Sequence, residues 1–264
     1  MNQHYDSKKE ADQAFRQLDQ RLRREGLVPT EKERFTRRYW IAAAISVIGL
    51  LSATLFSAWL TDITPTETIS QVEKVTPMGQ KIRFQLPDGT KVWLNADSRF
   101  TYPSSFARQR VVYLSGEAFL EVAHDANRPF VVRTEKASVK VLGTSFNVKA
   151  REAQPTETVV VSGKVAFSGK DNPTSSVVLQ PNDKAVLNTT TGETIRSTVD
   201  ANSYAAWTNG TLIFEDQPLS EVFTELARWY GVTIAVENPA IQKCQVTAKF
   251  EDLPLATVRD QLQF

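Results

Sequence analysis

Apolar and polar residues follow several different spacings along the 264-residue chain. Residues 8–25 carry apolar side chains every three or four positions, whereas residues 40–60 are apolar or uncharged throughout. Short runs with strict alternation fill residues 76–200, and helical spacing returns after residue 218. Spacing of three or four residues is typical of helices, and alternation is typical of strands. The pattern therefore predicts a helix, a long apolar segment, a mainly β domain and a small α+β domain, in that order.

The amino-terminal stripe predicts one amphipathic helix from about Lys8 to Glu25, with Gly26 as its natural end. Residues 1–39 are too few to bury a core of their own. The apolar face therefore either docks into a groove of a cytoplasmic partner or lies on a membrane surface, and the pattern leaves both interpretations open. The stripe consists of Ala11, Ala14, Phe15, Leu18 and Leu22.

The apolar segment 40–60 contains 21 residues without a charge or a proline. A helix needs about 20 apolar residues to cross the hydrocarbon core of a bilayer. Trp40 and Trp59 stand at its two ends, where aromatic rings favour the membrane interface. Arginines precede the segment and acidic residues follow it, so we predict a single membrane span with residues 1–39 in the cytoplasm and the chain from residue 61 exported.

The region 76–200 follows a threonine-rich stretch, residues 61–75, that we predict to be a linker. Turn residues such as Pro87-Asp88-Gly89 and Ser115-Gly116 separate the short alternating runs, and we expect a bulge or a positive φ at Gly116. This pattern predicts an all-β roll, sandwich or solenoid without a helix of normal length. The predicted strands are 81–86, 91–95, 110–114, 118–122, 130–134, 138–142, 146–150, 158–162, 164–168, 176–180 and 184–188.

Residues 205–264 predict a small domain with the element order β-α-β-β-α. The pattern Asp-x-Pro-Leu occurs at 216–219 and again at 252–255, each time directly before a predicted helix. A closing strand is expected after the second helix, so we predict that the final strand of this domain is missing. The predicted elements are a strand before Pro218, a helix from Leu219 to Gly231, strands at 232–237 and 244–250, and a helix from Leu255.

Composition excludes several classes of function. The net charge of +1 gives no electrostatic basis for a nucleic-acid partner. The single cysteine, Cys244, cannot form an intramolecular disulfide, and His4 and His124 lie on opposite sides of the predicted span, so no metal site is expected. No phosphate-binding loop, dinucleotide fingerprint or hydrolase nucleophile motif is present. We therefore predict neither a cofactor nor a conventional enzyme.

Carboxylates near turns are the remaining candidates for chemistry in the β region. Glycosidic chemistry requires a pair of acids at a fixed separation, and the sequence gives no sign of pairing. We therefore interpret Asp88, Glu117, Glu121 and Asp125 as structural. The aromatic residues of this region are interpreted as core, the alternative being a carbohydrate-binding platform. They are Trp93, Phe100, Tyr102, Phe106, Tyr113, Phe119 and Phe130.

A second aromatic group lies where the β region gives way to the α+β region. Trp207, Phe214, Trp229 and Tyr230 either pack this junction or contribute to a surface that contacts a partner. Tryptophan and tyrosine are favoured at the centres of protein interfaces.

Several motifs of the exported region are collectively distinctive. LPDGT (86–90), LSGEA (114–118), VLGTSF (141–146) and ARWY (227–230) occur in the order in which they stand in the FecR family. The chain resembles this family from about residue 76 to residue 262. Its C-terminal segment is similar to the small domain that follows FecR domains in Bacteroidota-type members, which is related to the secretin and TonB short N-terminal fold.

The resemblance implies a single-span anti-sigma regulator of the inner membrane. Its cytoplasmic part would hold an extracytoplasmic-function sigma factor, which assigns Phe15, Leu18 and Leu22 to sigma binding. Its periplasmic part would sense the signalling domain of a TonB-dependent outer-membrane transporter, through the aromatic group at 207–230. The cytoplasmic region of the family is usually longer and has several helices, whereas this chain shows one.

The resemblance also implies one covalent reaction. Parts of the family cleave themselves at the Gly-Thr bond of the motif that here contains Gly143 and Thr144. The Thr144 hydroxyl would attack the Gly143 carbonyl in an N-to-O acyl shift, and water would open the resulting ester. The alternative is an ordinary turn between two strands.

A second function from a different class is a membrane-anchored periplasmic module that binds glycan or cell wall and has no sigma partner. Capture of a sigma factor by residues 1–39 would separate the two functions.

Overall fold

The computed structural model describes residues 3–27, 39–40, 43, 45–54, 70–107, 109–172, 175–188 and 191–262. The chain forms two compact units, Met1–Thr68 and Ile69–Phe264. Helix α1 (Gln3–Arg24) lies in the first unit, which confirms the predicted helix and extends it toward the amino terminus. Residues 39–40, 43 and 45–54 are also helical, while the rest of the predicted span and residues 61–69 lie outside the described residues. No helix among the described residues is long and apolar enough to cross a membrane.

The described residues of the β domain, within 71–198, form thirteen strands joined in one hydrogen-bonded network. Several strands, such as β4 and β12, place alternate side chains in the core, as the sequence pattern predicts. The strands are β1 (Gln71–Thr76), β2 (Ile82–Gln85), β3 (Lys91–Leu94), β4 (Ser98–Pro103), β5 (Arg110–Glu121), β6 (Phe130–Arg133), β7 (Ala137–Val141), β8 (Ser145–Ala150), β9 (Thr156–Ser162), β10 (Val165–Gly169), β11 (Val177–Leu179), β12 (Asp183–Leu187) and β13 (Thr194–Thr198).

The long strand β5 connects the two halves of this network. Its first part pairs with β4 and in parallel with β6, and its second part pairs with β3 and β8. The longest path through the network runs β11-β10-β7-β6-β5-β8-β9-β12-β13. The two halves enclose one core, to which Phe100 and Phe130 contribute from one half and Leu94 and Phe146 from the other. The prediction of a mainly β domain is confirmed.

Ser115-Gly116 is not a turn, contrary to the prediction, but lies inside β5. Gly116 has φ +107°, which confirms the expected positive φ. A Cβ at this position would lie 2.3 Å from the Ser98 hydroxyl oxygen. The strand therefore continues through the glycine because only a residue without a side chain fits against β4 here.

Three strands were absent from the sequence prediction, namely β1, β4 and β13. Strand β1 pairs with β4, so the end of the predicted linker 61–75 belongs to the sheet. Strand β13 pairs with β12 at an edge of the network, and four of its five residues are exposed. A strand without a buried face gives no alternating pattern to detect.

The C-terminal region, residues 201–262, contains two strand–helix units. Between them, residues 232–237 pair with no described strand, so the predicted order β-α-β-β-α is wrong and the observed order is β-α-β-α. Both Asp-x-Pro-Leu turns have the same geometry, with φ +49° at Asp216 and +47° at Asp252. The elements are α2 (Ala201–Ala205), a 3-10 turn (Ala206–Asn209), β14 (Thr211–Pro218), α3 (Leu219–Tyr230), a second 3-10 turn (Pro239–Lys243), β15 (Gln245–Glu251) and α4 (Leu255–Gln261).

Candidate functional site

A largely buried cluster of charges joins helix α3 to the β domain. Glu225 of α3 lies 3.5 Å from the Lys149 ammonium and 3.9 Å from the Arg151 guanidinium. Arg151 also approaches Glu117 of β5 at 3.4 Å. The Glu225 carboxylate of α3 therefore lies beside two cations of the β domain, and one of these cations also pairs with Glu117.

Glu117 organises the β-domain side of this cluster. Asn95 and Asn147 each donate a side-chain hydrogen bond of 2.9 Å to its carboxylate, and only 6% of the residue is exposed. The Trp207 indole N–H in turn donates to the Asn147 side chain at 3.2 Å. The hydrogen-bond network around Glu117 thus also holds Trp207, and with it the 3-10 turn that precedes β14.

Two opposing effects set the protonation of this cluster. Burial alone raises the pKa of Glu225, but the charges of Lys149, Arg151 and Arg228 outweigh it and hold that pKa below its usual value. Burial alone lowers the pKa of Lys149, but Glu225, Glu117 and Glu157 outweigh it and hold that pKa above its usual value. Both groups are therefore charged at neutral pH.

A close backbone contact fixes the other end of α3. The Gly79 N–H donates to the Arg228 carbonyl at 2.7 Å, and a Cβ on Gly79 would lie 3.2 Å from the Gly231 Cα. Both glycines have positive φ, +78° at Gly79 and +68° at Gly231. Arg228 adds an ion pair of 3.4 Å with Asp97. The C-terminal region is thus held on the β domain by charge at the middle of α3 and by backbone contact at its end.

A cavity of about 500 Å³ opens beside this cluster. Glu117, Lys149, Glu157 and Lys184 of the β domain line one side of it, and residues of β14 and α3 line the other. Such a volume lies within the range of about 300–1,000 Å³ that ligand sites occupy. The cavity and the charge cluster together form the candidate functional site. Sequence analysis named Glu117, Trp207 and Phe214 but did not group them with the lysines and with Glu225, because the members come from elements that are distant in the sequence.

The predicted partner-facing aromatic residues lie next to this site but are largely packed. Trp207 is 7% exposed and Phe214 is 3% exposed, which favours the core interpretation for both. Trp229 and Tyr230 are half-buried against the core of the C-terminal region. The Lys81 ammonium lies 2.8 Å from the centroid of the Trp229 ring. Trp229 and Tyr230 are therefore only partly accessible.

Gly143 and Thr144 lie in the connection between β7 and β8. The Thr144 hydroxyl donates to the Lys164 carbonyl at 2.9 Å, and Thr144 is buried. A Cβ on Gly143 would lie 2.6 Å from Nδ1 of His124, and one on Gly163 would lie 2.8 Å from both the Gly143 carbonyl oxygen and the Thr144 hydroxyl. The Gly143–Thr144 bond is therefore tightly enclosed, with an imidazole against the Gly143 backbone.

The predicted sigma-binding residues lie on α1. Phe15 is 76% exposed and Leu18 is 53% exposed, while Leu22 is half-buried. Within the described part of the chain, Phe15 and Leu18 of the apolar stripe are therefore exposed, and Leu22 is partly covered.

The turn carboxylates have the structural contacts expected of them. Asp88 accepts hydrogen bonds from Thr90 across its turn and pairs with the buried Arg110 at 2.9 Å. Asp125 accepts from Arg128 and the neighbouring backbone, and Glu121 pairs with Lys91 on the adjacent strand. Within the described residues, no three His, Cys, Asp or Glu side chains converge as a metal site requires.

The aromatic residues of the β domain do not form an exposed platform. Phe100, Tyr102, Phe119 and Phe130 are buried, Trp93 and Phe106 are half-buried, and 47% of Tyr113 is exposed. Carbohydrate stacking requires accessible ring faces, so this arrangement favours the core interpretation.

Comparison with known proteins identifies two family regions. Residues 73–166 match the FecR protein family, and residues 211–263 match the C-terminal FecR family. Two crystal structures of a candidate anti-sigma factor from Parabacteroides distasonis, at 2.50 and 1.65 Å resolution, share 35% sequence identity with the chain. Both superpose with a TM-score of 0.67.

The first of these structures covers 74% of this chain and 91% of its own, and the second covers 73% and 90%. The chain belongs to the FecR family of anti-sigma regulators. No curated protein matches it. Both FecR regions fall in the second compact unit, and the candidate functional site lies where they meet.

Proposed function

We propose that this FecR-family protein is a membrane-anchored anti-sigma regulator. It relays a signal from a TonB-dependent outer-membrane transporter to an extracytoplasmic-function sigma factor. The observation that carries the proposal is the combination of FecR membership with the exposed apolar side chains of Phe15 and Leu18 on α1, within the described part of the chain.

The sigma factor binds α1 by helix-in-groove recognition. Phe15 and Leu18 are largely exposed on one side of the helix, and Leu22 continues the same stripe one turn later. Exposed apolar residues at this spacing are the anchors that a hydrophobic groove accepts. A single helix has no core of its own, so contact with the sigma factor would also stabilise α1.

The segment 40–60 anchors the protein in the inner membrane, with the amino terminus in the cytoplasm and the FecR regions in the periplasm. Ile45, Ile48 and Leu51 are more than half exposed in the helical residues described here, as lipid-facing residues would be. The signalling domain of the transporter contacts the C-terminal region near Trp229 and Tyr230. The signal then passes through the span by conformational change or proteolysis.

The test is transcription from a sigma-dependent promoter in cells that receive no signal. The change Phe15→Asp combined with Leu18→Asp places two charges on the apolar stripe, and we expect the sigma factor to be released and transcription to rise about tenfold or more. Deletion of residues 1–39 should have the same effect. The matched control, Gln13→Asp with Gln20→Asp, adds the same charges to the opposite side of α1 and should change little.

Unchanged transcription in both the double variant and the deletion would contradict the proposal. A pull-down with residues 1–39 that captures no sigma factor would then favour the glycan-binding or wall-binding module.

Self-cleavage between Gly143 and Thr144 is a further part of the proposed function. The enclosed Gly143 backbone beside His124 and the fixed Thr144 hydroxyl support it. We expect wild-type protein and Thr144→Ser to give two fragments on denaturing gels and Thr144→Ala to give one full-length band. A single full-length band from all three would contradict self-cleavage and leave the turn interpretation.

A further inference from the structure

The cavity at the domain junction runs along the unpaired edge of a strand. Strand β14 pairs on one side with β15, and among the described residues no strand pairs with its other side. Thr211, Ile213 and Glu215 line the cavity, and so do Leu212 and Phe214, whose side chains point the other way into the core. Successive side chains of a strand point to opposite faces of the sheet. Consecutive residues of β14 can therefore line the same cavity only if the cavity runs along the edge of the strand.

An open strand edge presents a row of backbone donors and acceptors. Such an edge binds another strand through main-chain hydrogen bonds, and adjacent side-chain contacts determine which strand it accepts. The part of β14 before its bulge, Thr211 to Phe214, keeps a regular register with β15. The register then shifts between Phe214 and Gln217, where Asp216 has positive φ. The open edge of β14 can therefore pair with a short extended segment, and the pairing would end near the bulge.

The charges along the cavity favour a cationic segment. Its cations are already neutralised, since Lys184 pairs with Glu157 at 2.6 Å and Lys149 and Arg228 each pair with Glu225 at 3.5 Å. Glu215 and Glu221 line the same cavity, are exposed and have no ion pair with a described cation. Glu215 only accepts a hydrogen bond of 3.3 Å from Ser203. Two carboxylates are therefore left to attract basic side chains.

We propose that this cavity is a peptide-binding groove, in which an extended segment of a partner protein pairs with β14 and places basic side chains against Glu215 and Glu221. Main-chain pairing supplies the affinity, and the two carboxylates select the charge. The groove also touches the Glu225 cluster that holds α3 on the β domain, so an occupant contacts both FecR regions at once.

The experiment measures peptide binding to the full-length chain in detergent micelles by fluorescence anisotropy. The probe is a fluorescein-labelled hexapeptide, VKVRVT, which alternates β-branched and basic residues. One comparison peptide carries N-methyl groups on alternate amides, which removes the donors needed for strand pairing. Another, VEVEVT, replaces the two basic residues by glutamate. The peptides do not depend on the sigma factor, so the result stands apart from the transcription test.

We expect VKVRVT to bind and both comparison peptides to bind about tenfold more weakly or worse. The variant Glu215→Lys with Glu221→Lys should lose about tenfold in affinity for VKVRVT and gain affinity for VEVEVT. Glu237→Lys adds a cation to an exposed position of the same region outside the cavity and should leave both affinities unchanged.

Three outcomes would overturn the proposal. One is no binding of VKVRVT up to about 1 mM. Another is equal binding of the N-methylated peptide, because strand pairing would then be excluded. The third is equal loss of affinity in the Glu237→Lys control, because the charge effect would then be general to the surface.

Discussion

Helices α1 and α3 carry the same kind of apolar stripe and use it in opposite ways. In α3, Leu219, Val222 and Leu226 are buried against the two-stranded sheet. In α1, Phe15 and Leu18 remain 76% and 53% exposed. Burial of one such side chain stabilises a fold or a complex by about 1.5–3 kcal/mol. In α3 this free energy contributes to folding, whereas Phe15 and Leu18 of α1 do not gain it from the described residues.

The polar faces of the two helices differ in the same way. The carboxylate of Glu225 in α3 is held by Lys149 and Arg151 of the β domain. In α1 the comparable contact is local, an exposed pair of 2.9 Å between Arg23 and Asp19 one turn apart. Exposed pairs of this kind contribute less than about 1 kcal/mol. Amphipathic spacing therefore establishes that a helix will bury one face but not whether the covering surface belongs to the same chain.

The largest expected effect comes from truncating one leucine in each stripe. Leu226→Ala should lower the free energy of unfolding by about 2–5 kcal/mol, because it leaves a cavity beneath α3. Leu18→Ala should change it by less than about 0.5 kcal/mol and should weaken sigma binding instead. Urea denaturation followed by tryptophan fluorescence measures the first effect, since Trp207 and Trp229 lie in the affected region. Equal shifts in the two variants would show that α1 is also covered within the chain.

Local sequence pattern was sufficient for much of the fold. Ten of the thirteen strands of the β domain follow from alternation and turn residues, and both Asp-x-Pro-Leu turns begin a helix as expected. The local pattern failed where the presence of a pairing strand decides whether a segment becomes a strand. Residues 232–237 have strand-like composition but no described partner, whereas Thr194–Thr198 has an exposed pattern but pairs with β12. Gly116 was correctly expected at positive φ, although only the contact with Ser98 shows that the strand continues through it.

The candidate site was the least predictable part. Glu117, Lys149 and Glu225 are separated in the sequence and converge only when β5, β8 and α3 pack together. A polar residue in an alternating strand usually lies on the solvent-exposed face. The sequence pattern therefore does not show when such a residue is buried. The aromatic group at 207–230 did mark the junction, since Trp207 hydrogen-bonds to Asn147 beside the charge cluster.

A smaller effect is expected from the polar face of α3, and it depends on pH. The folded-state pKa of Glu225 lies below its usual value of 4.5, so the stabilisation it provides is complete above that value and is lost as the pH falls through the folded-state pKa. Glu225→Gln leaves Lys149 and Arg151 without their full counter-charge and should cost about 1–3 kcal/mol at neutral pH.

The difference between wild type and Glu225→Gln should therefore shrink as the pH is lowered from 6 to below 4.5 and through the folded-state pKa of Glu225, because protonation gives wild type the same uncharged group. Urea midpoints measured across this range give the comparison. Glu221→Gln is the matched control, since it removes an exposed carboxylate one turn earlier on α3 and should give a difference near zero at every pH. A constant difference between wild type and Glu225→Gln across the range would mean that the charge of Glu225 does not hold α3 on the β domain. The contribution of Glu225 would then come from packing. The two helices would in that case differ in the burial of their apolar stripes but not in their ion pairs.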